Sequence, residues 1–495
     1  MFLGVDLGTS IIKAAMFHPD GTAAAVRSRP AHLISPQDGW FEQDPEEVLT
    51  GLAEVVRAAV AEAGEPPRLV GITGQGDGVW LADADGRPVR PAISWMDARA
   101  TPVVDRWVRD GVVQDVYART GGTLFPGAAA AILAWMEEHE PESLDSATTA
   151  GYCKDLVMQR LTGVRATDPS EASLPFLDPR SLDYDITALR SCGLEHRAGL
   201  LAPVARPVPA GELTAEGAQL LGLPAGTPVA SGPFDLPACA IGSGLRRHGD
   251  GHVIVGTTLA CQVLVDALDT DREPTGMHLS MPTTQDLWLR ALPAMVGTAA
   301  IDWVLSIVGA RHDDLDGILS DSRIGAGGVT CLPYFSPSGE RAPFLEPRAR
   351  AGFDELTLQT TRADLVRATC ESVAYAARHC LDTAGLTGDV VVSGGGMASR
   401  RWMAVFADVL GRPIHLARPG EAGARGAVLA AARTFGADID PTEWTTVEET
   451  VPPDATRAAH YEEGYAEHLH RVRSARERWQ PLTATQEVPG PRAAP

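Results

Sequence analysis

Three glycine turns carry most of the chemistry that this sequence can do. The first follows a short apolar run, Phe2–Asp6, and reads Gly8-Thr9-Ser10. It leaves the Asp6 carboxylate at the end of a buried strand, beside a turn whose glycine lets backbone N–H groups come close to an anion. A carboxylate there would hold Mg²⁺ through water, and the Thr9 hydroxyl and turn amides would face phosphate. An ordinary hairpin whose Asp caps the turn would read the same way. The second turn, Gly256-Thr257-Thr258, opens the second half of the chain in a similar manner. Together the two are more specific than either alone, because a nucleotide phosphate chain held in a cleft needs donors from both walls. The third, Ser393-Gly394-Gly395-Gly396, falls between an apolar run and a helical pattern, where backbone free of side chains can lie flat against a ring or a phosphate. Neither a G-x-G-x-x-G fingerprint nor a G-x-x-x-x-G-K-[ST] loop occurs, so a dinucleotide enzyme and a P-loop NTPase are both unsupported.

Alternating strands and helices must position these turns, and the local patterns place them. Phe2–Asp6, Ile11–Phe17 and Thr22–Val26 predict a three-strand meander, with Pro19-Asp20-Gly21 as its second turn. Asp44-Pro45-Glu46-Glu47 supplies an N-cap, a proline at the first helical position and a capping-box acid for a helix over 45–63. Leu69–Thr73 then returns as a buried strand into Gly74-Gln75-Gly76-Asp77-Gly78. Halfway along, Val229–Gly232 leads through Pro233-Phe234-Asp235 into a small-residue helix over Leu236–Gly242, and a new meander begins at Gly251–Val255. Asp389–Val392 reads as a strand, Ser399–Leu410 and Gly423–Arg433 as helices, and Tyr461, Tyr465, Leu469 and Val472 as one face of a closing helix over about 456–479. Pro481, Pro489, Pro491 and Pro495 predict a frayed tail. The pattern is α/β. Its second half reopens as the first began, which divides the chain into 1–245, 246–450, and a closing helix and tail over 451–495.

Composition removes several other functions. Lys plus Arg total 42 against 64 Asp plus Glu, a net charge of −22, so most of the surface would repel nucleic acid. The seven cysteines are odd in number and form no C-x-x-C pair, which points to reduced packing residues. His18, His278, His312 and His379 are scattered without metal-ligand spacing. No apolar stretch approaches the roughly 18–20 residues of a membrane helix, and the default compartment is cytoplasmic.

Taken in order, these pieces resemble the FGGY carbohydrate kinases of the actin-like ATPase superfamily over nearly the whole chain. The likeness runs from Gly4–Ser10 with Lys13, through Gly39-Trp40, Glu42–Pro45, Gly74-Gln75, Trp95-x-Asp97-x-Arg99 and Leu161–Gly163 with Asp168 and Ser170. It goes on through Asp235, the Gly256 turn, Gly394–Gly396 with Trp402 and Asp408, and Glu421-x-Gly423-Ala424-x-Gly426. The chain departs from the usual signatures at Ile132, at Glu355 where a glycine is common, and at Cys370. The resemblance implies two ribonuclease-H-like domains closing on a sugar and MgATP, with phosphoryl transfer to a sugar hydroxyl. It implies that Asp6, Gly8, Thr9, Ser10, Lys13, Gly256, Thr257, Thr258 and Gly394–Met397, including Gly395 and Gly396, bind nucleotide, with Asp6 holding Mg²⁺ through water.

Asp235 would then be the general base, since a hydroxyl attacking the γ-phosphoryl group needs an acceptor for its proton. By position it also reads as the N-cap of the helix that follows. Asp77 lies where xylulose kinases of the family carry a His and glycerol kinases a Glu. A carboxylate there can accept two hydroxyl protons, with Gly76 leaving room for the substrate and Gln75 beside it. Trp95, Asp97 and Arg99 would add an apolar wall and polar contacts, or else form a salt-bridged loop. The substrate expected is a small open-chain ketose or polyol of the xylulose or erythritol type. A non-catalytic sugar-responsive module is the second hypothesis, and a homodimer is left open.

Overall fold

A computed structural model describes residues 1–479 apart from Pro175, Gln285 and Pro419. The proline-bearing tail expected beyond the closing helix lies outside the described residues. The N-terminal meander is built as Phe2–Leu7, Ile11–Phe17 and Ala23–Pro30, each antiparallel to the next. On its other side Phe2–Leu7 pairs in parallel with Val70–Gly74, which pairs in parallel with Pro228–Ser231. Ala210–Glu212 completes this six-stranded sheet. The central strands Phe2–Leu7, Val70–Gly74 and Pro228–Ser231 are near-continuous apolar or small-residue runs, as strands buried on both faces must be, while the edge strands Ala23–Pro30 and Ala210–Glu212 are largely exposed.

The second half repeats the arrangement. Gly251–Val255 is antiparallel to Leu259–Val265 and parallel to Val390–Ser393, which is parallel to Ile414–Ala417. Trp288–Pro293 and Met277–Ser280 extend one edge and Val447–Val451 the other, giving seven strands. The ribonuclease-H-like strand order is therefore present twice, and each copy places a glycine turn at the end of its first strand.

The two sheets are joined by helices that touch backbone to backbone at glycines. Ala422–Phe435 belongs to the second half of the sequence, yet it lies across Phe2–Leu7 and Val70–Gly74 of the first sheet and against Asp235–Gly242. A Cβ on Gly426 would sit 1.9 Å from the Ala238 carbonyl oxygen, and one on Gly242 would sit 2.0 Å from that of Ala422. Gly4 and Gly71 meet Ala424 and Ala427 in the same way, at 2.3 and 2.4 Å. Any side chain at these positions would force the elements apart in an interior packed to crystal-like density.

Two local expectations need correction. The helix Pro45–Ala63 starts with the Asp44 side chain accepting from the Glu46 N–H, but Glu47 does not close a capping box. It turns outward to pair with Arg29 and His32 instead. Asp235 is the first residue of its helix rather than the N-cap, a position held by Phe234. The closing helix spans Ala458–Trp479 and buries Tyr461, Tyr465 and Val472, with His468 among them and Leu469 partly covered. All seven cysteines are free thiols, six of them buried. Among the described residues no helix is long and apolar enough to cross a membrane.

Candidate active site

The cleft between the sheets holds a row of charges. Asp6 faces Lys13 across the first hairpin, and the Lys13 ammonium pairs with Glu421 at 2.9 Å. Burial works against the Lys13 charge, but the Glu421 carboxylate bonded to it and Asp6 beside it hold its pKa above the usual value. The start of the Ala422–Phe435 helix backs directly onto Asp6: a Cβ at Gly423 would stand 2.7 Å from the carboxylate. Burial pushes Asp6 up to about 6, with Lys13 opposing and Glu421 adding to the rise.

Asp235 comes next, at the first turn of the other crossing helix. Burial raises it to about 7, the neighbouring Asp6 and Asp77 charges raise it further, and the Leu236 N–H works the other way. Asp77 is held at φ 58°, a left-handed conformation that costs a non-glycine residue energy and tends to mark a functional position. Its side chain accepts the Ala129 N–H at 3.2 Å and so caps the Ala129–His139 helix, whose own N-cap residue supplies no side-chain bond. Burial pushes Asp77 up to about 7, against that bond and the nearby Arg341.

The wall beside Asp77 differs from expectation in three places. Gly76 is small because Phe234 and Leu174 fill its side-chain space: a Cβ there would meet Phe234 at 2.7 Å and Leu174 at 3.0 Å, so it makes room for protein rather than substrate. Gln75 is buried, donating to Gln43 at 2.7 Å and accepting the Thr9 hydroxyl at 2.9 Å. The Trp95 indole N–H donates to the same hydroxyl at 2.8 Å. The Thr9 hydroxyl is thus committed to the sugar-side wall, which leaves the turn amides to meet phosphate. Asp97 and Arg99 form the salt-bridged loop, their side chains wholly enclosed. Asp97 accepts the Phe41 N–H at 2.7 Å, and Arg99 pairs with both Asp97 and Glu42 at 2.9 Å while its guanidinium lies 4.0 Å over the Trp40 ring. They hold the loop that carries Trp95 and do not line the cleft.

On the opposite lobe, Thr257 and Thr258 are exposed in a tight turn closed by the Gly256 N–H bond to the Thr258 carbonyl. The Thr298–Val308 helix starts against it, Thr298 donating to the Gly256 carbonyl at 2.8 Å. Ser10 is exposed at the tip of the matching turn. In the third turn the glycines separate by cause. Gly394, at φ 100°, and Gly396 abut Val255 at 2.6 and 2.3 Å, whereas a Cβ on Gly395 would meet nothing within 4 Å. That leaves a stretch of unfilled, exposed backbone at Gly395. Met397 follows it, partly buried against the core. Sequence reasoning missed Gln43, Glu421 as the Lys13 partner, and Arg341; only Glu421 had a local signal, its place just before a small-residue helix.

Among the described residues no group of three or more His, Cys, Asp or Glu could enclose a metal ion. A half-buried carboxylate at a strand end suits a hydrated cation instead, held through water and leaving coordination positions for phosphate oxygens. The donor set fits Mg²⁺ on those terms.

Comparisons with known proteins identify the family. The N-terminal domain model of the FGGY family of carbohydrate kinases matches residues 1–242, and its C-terminal domain model matches residues 253–435. The chain is 32% identical to the erythritol kinase of Brucella abortus, covering 94% of both proteins. It is 29% identical to the L-xylulose/3-keto-L-gulonate kinase of Escherichia coli, covering 95% of this chain and 96% of that one. The crystal structure of xylulose kinase from Rhodospirillum rubrum superposes with a TM-score of 0.88 at 30% identity, over 96% of this chain and 99% of the other. The chain belongs to the FGGY family of carbohydrate kinases, and its activity is the ATP-dependent phosphorylation of a sugar or polyol hydroxyl.

Proposed function

We propose that the substrate is a small open-chain polyol or ketose of the erythritol or xylulose type, with Asp235 as the base that activates its hydroxyl. The observation that carries this reading is the grouping of Asp235 with Asp6 and Asp77: Asp235 starts the helix packed on the one whose Gly423 backs Asp6, the Asp6 and Asp77 charges both act on it, and the Trp95 indole closes onto Thr9 of the first glycine turn. Asp77 offers an acceptor for substrate hydroxyls. Asp235 takes the proton of the attacking hydroxyl as the oxygen bonds to the γ-phosphorus and the β,γ-bridging oxygen leaves with ADP. Asp6 would hold Mg²⁺ through water, and the metal would neutralise charge on the β- and γ-phosphates. The peptide N–H groups of the Gly8 and Gly256 turns hold the phosphates from two walls, and Gly395 gives the adenosine its flat backbone. We place the boundary between the two domains near residue 245, after the first crossing helix. The erythritol and xylulose kinases among the relatives favour tetritols and pentuloses in particular.

A coupled ADP-release screen against tetritols, pentitols and pentuloses, with and without Mg²⁺, tests the reading. One of these substrates should be turned over only when Mg²⁺ is present. Turnover of none of them, or equal turnover in excess chelator, overturns it.

A further inference from the structure

Arg341 is the charged residue on the cleft that the chemistry described above leaves unused. It belongs to the C-terminal lobe, in the segment Gly339-Glu340-Arg341-Ala342-Pro343, and it is held at its root. Its peptide N–H donates to Glu340 at 2.9 Å, and its Nε donates to the Pro293 carbonyl at 2.9 Å. Glu340 is itself buried and accepts the N–H groups of Met295 and Ala342 at 2.8 and 3.2 Å, so the backbone around Arg341 is pinned on both sides. A buried carboxylate with three peptide donors is an expensive anchor for an ordinary surface arginine.

The pinned side chain reaches across the cleft. Its guanidinium lies 5.8 Å from the centre of the Trp95 ring, on the N-terminal lobe. It is close enough to Asp77 for each charge to favour the other, yet the two make no ion pair. The Nη groups have no protein partner among the described residues. A gap too wide for a salt bridge, with a carboxylate acceptor on one side, unpaired guanidinium donors on the other and an indole floor, suits a chain of hydroxyls. Each hydroxyl can donate to Asp77 and accept from Arg341.

We infer that Arg341 is the substrate contact supplied by the C-terminal lobe, donating to oxygens of the polyhydroxylated chain that Asp77 holds from the N-terminal lobe. The inference rests on reading the Asp77–Asp235 cleft as the polyol site. It adds that the substrate bridges the two lobes, so substrate binding itself favours closure. Arg suits this role better than Lys because its planar fork can meet two adjacent oxygens from a fixed root.

Steady-state kinetics of Arg341→Met and Arg341→Lys on the best polyol or ketulose test it, with Asp235→Asn in parallel. A charge-assisted bond made to the bound substrate predicts a loss of about 10- to 100-fold in kcat/KM for Arg341→Met, carried mainly by KM for the polyol. KM for ATP and the thermal midpoint should stay at parental values, and Arg341→Lys should recover part of the loss. The inference is overturned if Arg341→Met stays within about threefold of the parent. It is equally overturned if KM for both substrates and the thermal midpoint deteriorate together with no recovery in Arg341→Lys, which would make Arg341 a brace for the Pro293 strand. In either case a collapse of Asp235→Asn leaves the polyol-kinase reading intact. An active Asp235→Asn variant removes that reading as well.

Discussion

Replacing Asp235 by Asn should make the enzyme inactive and more stable at once, and the gain in stability should grow with pH. In the ligand-free protein the folded-state value of Asp235 is about 7 against an ordinary 3.8. Because folding raises it, the protonated carboxyl is favoured in the fold. The penalty for ionising it is absent below pH 3.8, builds between 3.8 and about 7, and is complete above that. From 3.8 to about 7 is roughly three pH units, on the order of 4 kcal/mol at about 1.4 kcal/mol each. Asp235 keeps some solvent access through the cleft, so a penalty of about 2–4 kcal/mol at pH 8 is the working figure. Asparagine has a similar shape and no charge. The urea midpoints of parent and Asp235→Asn, measured without ligands, should lie close together near pH 4, differ by the equivalent of about 1 kcal/mol at pH 5, and separate by about 2–4 kcal/mol by pH 8. Over the same range sugar phosphorylation should be about 10²–10⁴-fold below the parent, the usual cost of losing a general base. A stability difference that does not widen between pH 5 and 8 would refute the assignment of Asp235 as a strained buried acid. Activity near the parent's would refute its role as the base.

The other predictions concern single contacts. Gly395→Ala should leave the thermal midpoint unchanged, since its Cβ would meet no protein atom, while KM for ATP rises several-fold in steady-state assays. Asp97→Asn should destabilise the protein by about 2 kcal/mol in urea unfolding, because it removes one of the two carboxylates that neutralise the enclosed Arg99 and leaves Glu42 as the other, and KM for the sugar should rise as the Trp95 wall loosens. Glu355 has φ 62°, at the position where the family commonly has glycine. Glu355→Gly should therefore gain about 1 kcal/mol in unfolding experiments from relief of left-handed strain, less whatever its exposed contact with Arg471 contributes.

What could be read from the sequence was what is decided locally. The meander, the helix over 45–63 and the strand entering Gly74 follow from apolar period and turn residues within a few positions of each other. The place of Asp6 at a strand end beside a glycine turn was legible because that is itself a local pattern. What failed depended on partners far along the chain. Gly76 was assigned to substrate, but the atoms filling its side-chain space belong to Phe234 and Leu174. The Thr9 hydroxyl was expected on phosphate, but Trp95, 86 positions away, and Gln75, 66 away, claim it. The capping box at Glu47 was lost to Arg29 and His32 on the neighbouring strand segment. Arg341 carried no local signal at all, since its importance comes from a ring and a carboxylate on the other lobe.

The crossing helices explain why the reacting carboxylates and their cation can sit so close to the seam between lobes. Asp235 begins one helix, and the Glu421–Gly423 segment that meets Lys13 and Asp6 begins the other. The two helices touch backbone to backbone through Gly242 and Gly426, with small side chains such as Cys239 packed beside that contact. A rotation of one lobe on the other must then turn about this contact and cannot open it, because separating the helices would empty a dry, close-packed seam. Points near the axis move least. On this geometry Asp6, Asp235 and Lys13, all on the elements that meet at the seam, are expected to keep their mutual positions on closure, while the Gly256 turn, the Gly395 backbone and Arg341 would travel toward their partners. Closure of this kind would assemble the walls around the proposed base Asp235 and the proposed metal-holding Asp6 already in place, and would exclude water only once both substrates have entered.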